Sequence, residues 1–126
     1  IEAFGKVHIT DGDSVDLTAQ SLTYDGNKRI AHMRRNVVFK KLGIATLYTD
    51  YLDYDRQRNV AKYFNGGKLV DSINVLTSKK GYYDITTNLA SFKSEVIGTN
   101  PDYTLSADTL QYNSKTQIIY FRDETT

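Results

Sequence analysis

Leu47-Tyr48-Thr49-Asp50-Tyr51-Leu52-Asp53-Tyr54-Asp55 is one of four copies of a short pattern. The others run from Leu17 to Asp25, Leu76 to Asp84 and Leu105 to Asn113, and their lead leucines step by 30, 29 and 29 residues. A fixed period of roughly 20–50 residues marks stacked supersecondary units, none of which buries its apolar face alone. The chain therefore reads as a single domain, 1–126, built from about four repeats. Repetition also favours binding along a continuous surface over chemistry at one point.

Inside a unit the apolar residues fall at every second position. Val15, Leu17 and Ala19 alternate with Asp16, Thr18 and Gln20, the period of a half-buried strand. The phase then slips by one residue, and Leu22 and Tyr24 resume the same face. A slip that keeps the apolar set on one side is the work of a bulge or corner. Asp25-Gly26-Asn27-Lys28 follows as a tight turn. The return strand carries Ala31 and Met33 inward and His32 and Arg34 outward, and a second slip at Arg35-Asn36 leads to Val37 and Phe39. Ala31 recurs as Ala61, Ala90 and Ile119, and Met33 as Tyr63, Phe92 and Phe121; the loop Asn65-Gly66-Gly67-Lys68 interrupts the frame once.

A corner at the same place in each strand folds the whole stack along a crease. The expected fold is all-β: a creased jellyroll, or folded-sheet solenoid, of two facing antiparallel sheets with the leucines, tyrosines and alanines between them. Ten Tyr and five Phe beside a single Pro and a single Met agree with pleated, half-buried strands. Ala19, Thr49, Ser78, Gly81 and Ala107 are the small or polar members of the inward set, and they predict an apolar slot left partly open.

Composition narrows the function classes. Lys plus Arg number 16 against 15 for Asp plus Glu, whereas a nucleic-acid binder usually shows a strongly basic face, so no nucleic-acid partner is expected. Thiolate metal sites and thiol catalysis need cysteine, and there is none. No apolar run approaches the length of about 18 residues that crosses a bilayer as a helix. Ile1-Glu2-Ala3-Phe4-Gly5 reads as mid-strand rather than as a signal segment, the expectation being a module excised from a longer secreted protein.

The alternation from Leu105 to Asn113, together with Asn36-Val37-Val38-Phe39, resembles the OstA-like, LptA-type periplasmic domain. The resemblance runs from Gly5-Lys6-Val7 to Phe121, with departures at Arg35, which replaces the family's glycine before Asn-Val, and at Gly81, where the other copies have leucine. It implies a β-jellyroll that carries lipopolysaccharide across the periplasm of Gram-negative bacteria in outer-membrane biogenesis. It also implies homologous modules, further copies of the chain included, adding by edge-strand pairing. Carried over by position, the lipid-binding line falls on Val15, Leu17, Ala19, Leu47, Leu76, Leu105 and Leu110, with Ala31, Met33 and Phe92 opposite.

Chemistry finds little footing. His8 and His32 fall on the outward phase, and Asp11-Gly12-Asp13-Ser14-Val15-Asp16 is better read as a turn than as a calcium loop, lacking the later glutamate. Asp50, Asp53 and Asp55 do not form an acid pair, because Asp53 faces outward and Asp55 is the turn position of every repeat. No catalytic residues, metal or cofactor are therefore expected. Basic doublets at Lys28-Arg29, Arg34-Arg35, Lys40-Lys41 and Lys79-Lys80 suit solvated faces or edges, or else contacts with lipid phosphates at the mouth of the trough. Two other readings fit the same repeat: a structural or adhesive solenoid with a closed core, and a glycan-binding accessory domain.

Overall fold

A computed structural model describes residues 2–12 and 14–120. Every described regular element is a β-strand. The strands are β1 (Glu2–Asp11), β2 (Val15–Asp25), β3 (Ile30–Lys41), β4 (Ala45–Asp55), β5 (Val60–Tyr63), β6 (Gly67–Val70), β7 (Val75–Ser78), β8 (Lys80–Asp84), β9 (Leu89–Thr99), β10 (Thr104–Asn113) and β11 (Ile118–Tyr120). All pairings are antiparallel. The main path runs β1-β2-β3-β4-β5-β8-β9-β10-β11, with β6 bridging β4 to β7 and β7 reaching β9. β5 and β6 are thus two arms of one long strand broken at Phe64–Gly66, and β7 and β8 are two arms of the next, broken at Lys79. The chain is a meander in which each long strand pairs with its predecessor.

The crease lies where the sequence slips phase. Pairing registers shift between Phe4 and Val7 in β1, between Arg34 and Val37 in β3, and between Ala107 and Thr109 in β10. At the same level the backbone turns left-handed, at Gly5 (φ 90), Arg35 (φ 67), Asn36 (φ 50), Gly66 (φ 88), Ser94 (φ 68) and Glu95 (φ 54). Positive φ is uncommon for residues with a Cβ, so these are bulges held by the surrounding ladder. Asn36 N–H donates to Asp50 Oδ1 (3.0 Å), and Lys79 N–H to Ser94 O (3.0 Å).

Beyond the crease each strand ends in a turn, and the turns form two sets. One set, called upper here, is 26–29, 56–59, 85–88 and 114–117. Asp25, Asp55, Asp84 and Asn113 open these, each Oδ1 accepting backbone N–H groups two and three residues on at 2.9–3.2 Å. The left-handed residues Arg29, Asn59, Asn88 and Gln117 close them, again at the repeat spacing. The lower set follows Asp11, Lys41, Val70 and Thr99.

One buried cluster fills the space between the arms. Phe39 on the lower arm of β3 meets two upper-arm tyrosines edge-on, Tyr54 at 5.3 Å between centroids and Tyr83 at 6.3 Å. Such pairs add roughly 0.5–1.5 kcal/mol beyond their area. The predicted slot is filled where Gly81 stands. A Cβ on Gly81 or Gly67 would lie 2.7 or 2.6 Å from the Tyr63 ring, so the tyrosine occupies the space vacated by the missing leucine. Its hydroxyl is 2.5 Å from Ser78 Oγ, and burial pushes its pKa up to about 12.

The latched apolar interior as a candidate functional site

Val15, Leu17, Ala19, Met33, Leu47, Leu76, Phe92 and Leu110 are all at most 5% exposed and belong to the one central cluster. Leu105, on the last complete rung, is half-buried and packs against that cluster. The structure therefore brings the predicted line together, packed side chain on side chain. At the first rung Val7, Ile9, Leu22 and Tyr24 are half-buried against the cluster, as are Leu105 and Ile119 at the other end. The apolar interior thus continues to both ends of the stack. Phe121, the next position in this line, lies outside the described residues.

The crease closes one long side of this interior, and the opposite side is closed by contacts between lower and upper turns. Tyr54 Oη donates to Asp11 Oδ2 at 2.7 Å, with Arg56 Nε 3.6 Å from the same oxygen. Tyr112 Oη donates to Asp71 Oδ2 and accepts from Asn74 Nδ2 at 2.9 Å. Lys41 Nζ donates to the carbonyl of Ile85 and to Asn88 Oδ1 (2.7 Å). Gln117 Nε2 reaches Ser72 Oγ at 3.0 Å. Burial, then the carboxylate partner, pushes the Tyr54 and Tyr112 hydroxyls well above the ordinary tyrosine pKa. They stay protonated donors at any physiological pH.

These latches follow the repeat. Asp11, Lys41, Asp71 and Asn100 occupy one position in successive units, stepping by 30, 30 and 29. Each lower turn reaches the upper arm or turn one unit further on: Asp11 to Tyr54, Lys41 to Ile85 and Asn88, Asp71 to Tyr112. The tyrosine recurrence was visible in the sequence. Its aspartate partners, Asp11 and Asp71, are 60 residues apart, two steps of the same period.

The other candidates have structural partners on the outer face or in turns. His8 Nε2 contacts Asp16, and His32 Nδ1 lies 2.7 Å from Asp53, which also accepts from Arg34 Nη1 at 3.1 Å. Asp50 holds the crease and Asp55 an upper turn. Asp13 lies outside the described residues. Among the described residues no helix is long and apolar enough to cross a membrane.

Comparison with known proteins follows the same geometry. No curated protein matches the chain. Its fold is similar to that of LptH from Pseudomonas aeruginosa, the LptA-homologous periplasmic component of the lipopolysaccharide transport device. That match has a TM-score of 0.72 at 16% identity and covers 84% of this chain and 80% of that one. The OstA-like protein family matches residues 1–108. With most of its length matched and the creased jellyroll in place, the chain belongs to the OstA-like family.

Proposed function

We propose that the chain is a non-enzymatic periplasmic carrier module that passes lipopolysaccharide along the interior between its two sheets, as part of delivery to the outer membrane. The observation that carries this reading is the unbroken apolar interior, joined by covalent chain at the crease and, among the described residues, by side-chain latches along the mouth. Family membership and the likeness to LptH support it.

Uptake proceeds by parting the sheets at the latches. A net hydrogen bond contributes about 0.5–1.5 kcal/mol, whereas an acyl chain gains about 0.8 kcal/mol for each CH₂ removed from water. A few methylenes therefore match one latch, and acyl contacts replace the side-chain contacts that opening gives up. β1 is an edge strand of the described sheet. Homologous modules or further copies of the chain add there and extend the interior. The closed packing of the central rungs also supports a second reading, a structural solenoid that never opens.

A photoactivatable amphiphile with a diazirine in its acyl chain separates the two. The carrier reading expects labelled peptides around Leu47 and Leu105, with labelling cut about tenfold or more by Leu105→Asp, since burying a charge there opposes acyl contact. Leu105 is half-buried, so the variant retains its fold, which circular dichroism checks. Labelling restricted to outer-face residues such as Tyr48 and Tyr82 would favour the closed solenoid.

A further inference from the structure

The second latch departs from the other two. Where units one and three place Asp11 and Asp71, unit two places Lys41, and the tyrosine of the facing rung, Tyr83, pairs instead with Ser114 Oγ at 2.6 Å. At this point the mouth holds a cleft of about 750 Å³, between the loop 40–46, Val70–Ser72 and the turn 114–117. That volume lies within the roughly 300–1,000 Å³ of small-ligand sites. Its charged lining is Lys40, Lys41, Lys115 and Asp71. Asp71 has both oxygens engaged, Oδ1 by the N–H groups of Ile73 and Asn74 and Oδ2 by Tyr112. Lys41 and Lys115 line the same cleft and lie close enough to repel each other. Burial, and then repulsion from Lys115, lowers the Lys41 pKa, against a smaller opposing pull from Asp84. Leu42, 53% exposed, and Ile44 supply an apolar wall beside the charges.

We propose that this cleft is an anion site for the phosphate group of a phosphorylated amphiphile, with Lys41 and Lys115 as its cationic ligands and Leu42 and Ile44 against the first carbons of the tail. The proposal deepens the carrier reading by placing the head group at the second latch. A phosphate oxygen between the two ammonium groups replaces like-charge repulsion with two charge-assisted hydrogen bonds. It also competes for Lys41 Nζ, which otherwise bridges to Ile85 and Asn88, so the head group loosens the latch through which the tail enters.

The test titrates the purified chain with dodecyl phosphate, dodecyl maltoside and inorganic phosphate, following the lysine ε-methylene resonances and binding heat. Dodecyl phosphate should bind about tenfold or more tightly than dodecyl maltoside, shifting Lys41 and Lys115 selectively. K41Q/K115Q should remove that preference, so that the variant binds dodecyl phosphate no more tightly than it binds dodecyl maltoside. K115Q alone, at an exposed turn position, should weaken dodecyl phosphate in the same direction, covering the case in which the double variant misfolds. K28Q/R29Q, on a different upper turn, should change nothing. Equal binding of the two amphiphiles overturns the anion site while leaving the carrier reading standing. Binding of inorganic phosphate as tight as dodecyl phosphate overturns the tail contact with Leu42 and Ile44. Loss of all amphiphile binding in the wild-type chain instead sinks the carrier reading itself.

Discussion

Phe39→Ala should lower the unfolding free energy by about 3–5 kcal/mol, the usual range for emptying a fully buried phenylalanine site. Domains of this size are stable by roughly 5–15 kcal/mol, so the change removes a large part of the total. Phe39 is 0% exposed and joins a lower arm to two tyrosines on upper arms, so its loss uncouples the sheets. Urea denaturation should show a lower midpoint at an unchanged slope. Phe4, 79% exposed on β1, makes the internal contrast, and Phe4→Ala should stay within about 0.5 kcal/mol of wild type. A Phe39→Ala loss below about 1 kcal/mol would mean that the sheets do not pack through this ring.

Gly81→Leu restores the leucine that the other three repeats carry, and should nevertheless destabilise the chain by about 1–3 kcal/mol. The reason is spatial: its first added atom meets the Tyr63 ring at 2.7 Å. The backbone at Gly81 is not left-handed, so the penalty arises from overpacking alone. Combining it with Tyr63→Ala should recover part of the loss, with a coupling of about 0.5–3 kcal/mol in a double-mutant cycle read from denaturation midpoints. Additive effects would show that Tyr63 does not fill the vacated leucine site.

Gly81 also marks where legibility ended. The leucine period, the slip at Arg35-Asn36 and the Asp25-type turns are local to each repeat, so residue order alone placed the strands, the crease and the inward line. The slot inferred from Ala19, Thr49, Ser78, Gly81 and Ala107 assumed that each rung fills its own space. Tyr63, which matches Met33 in phase but is larger, fills it instead. The loop Asn65-Gly66-Gly67-Lys68 read as an irregularity, and in the fold it breaks one long strand into β5 and β6 at the crease. The latches were harder to see because a lower turn meets the upper arm one unit further along. That offset is set by how two twisted sheets lie over each other, which a period cannot express. Lys41 accordingly read only as half of a basic doublet, although its position equivalent to Asp11 and Asp71 singles it out.

The central claim is that the mouth opens to admit lipid, and the distance across it is the direct measure. Spin labels at Leu42→Cys and Thr87→Cys, both exposed, flank the latch that Lys41 makes to Ile85 and Asn88. Pulsed electron–electron resonance should give one narrow, short distance for the chain alone and a longer population that grows with added lipopolysaccharide. An unchanged short distance in a chain shown to hold lipopolysaccharide would contradict entry between the sheets.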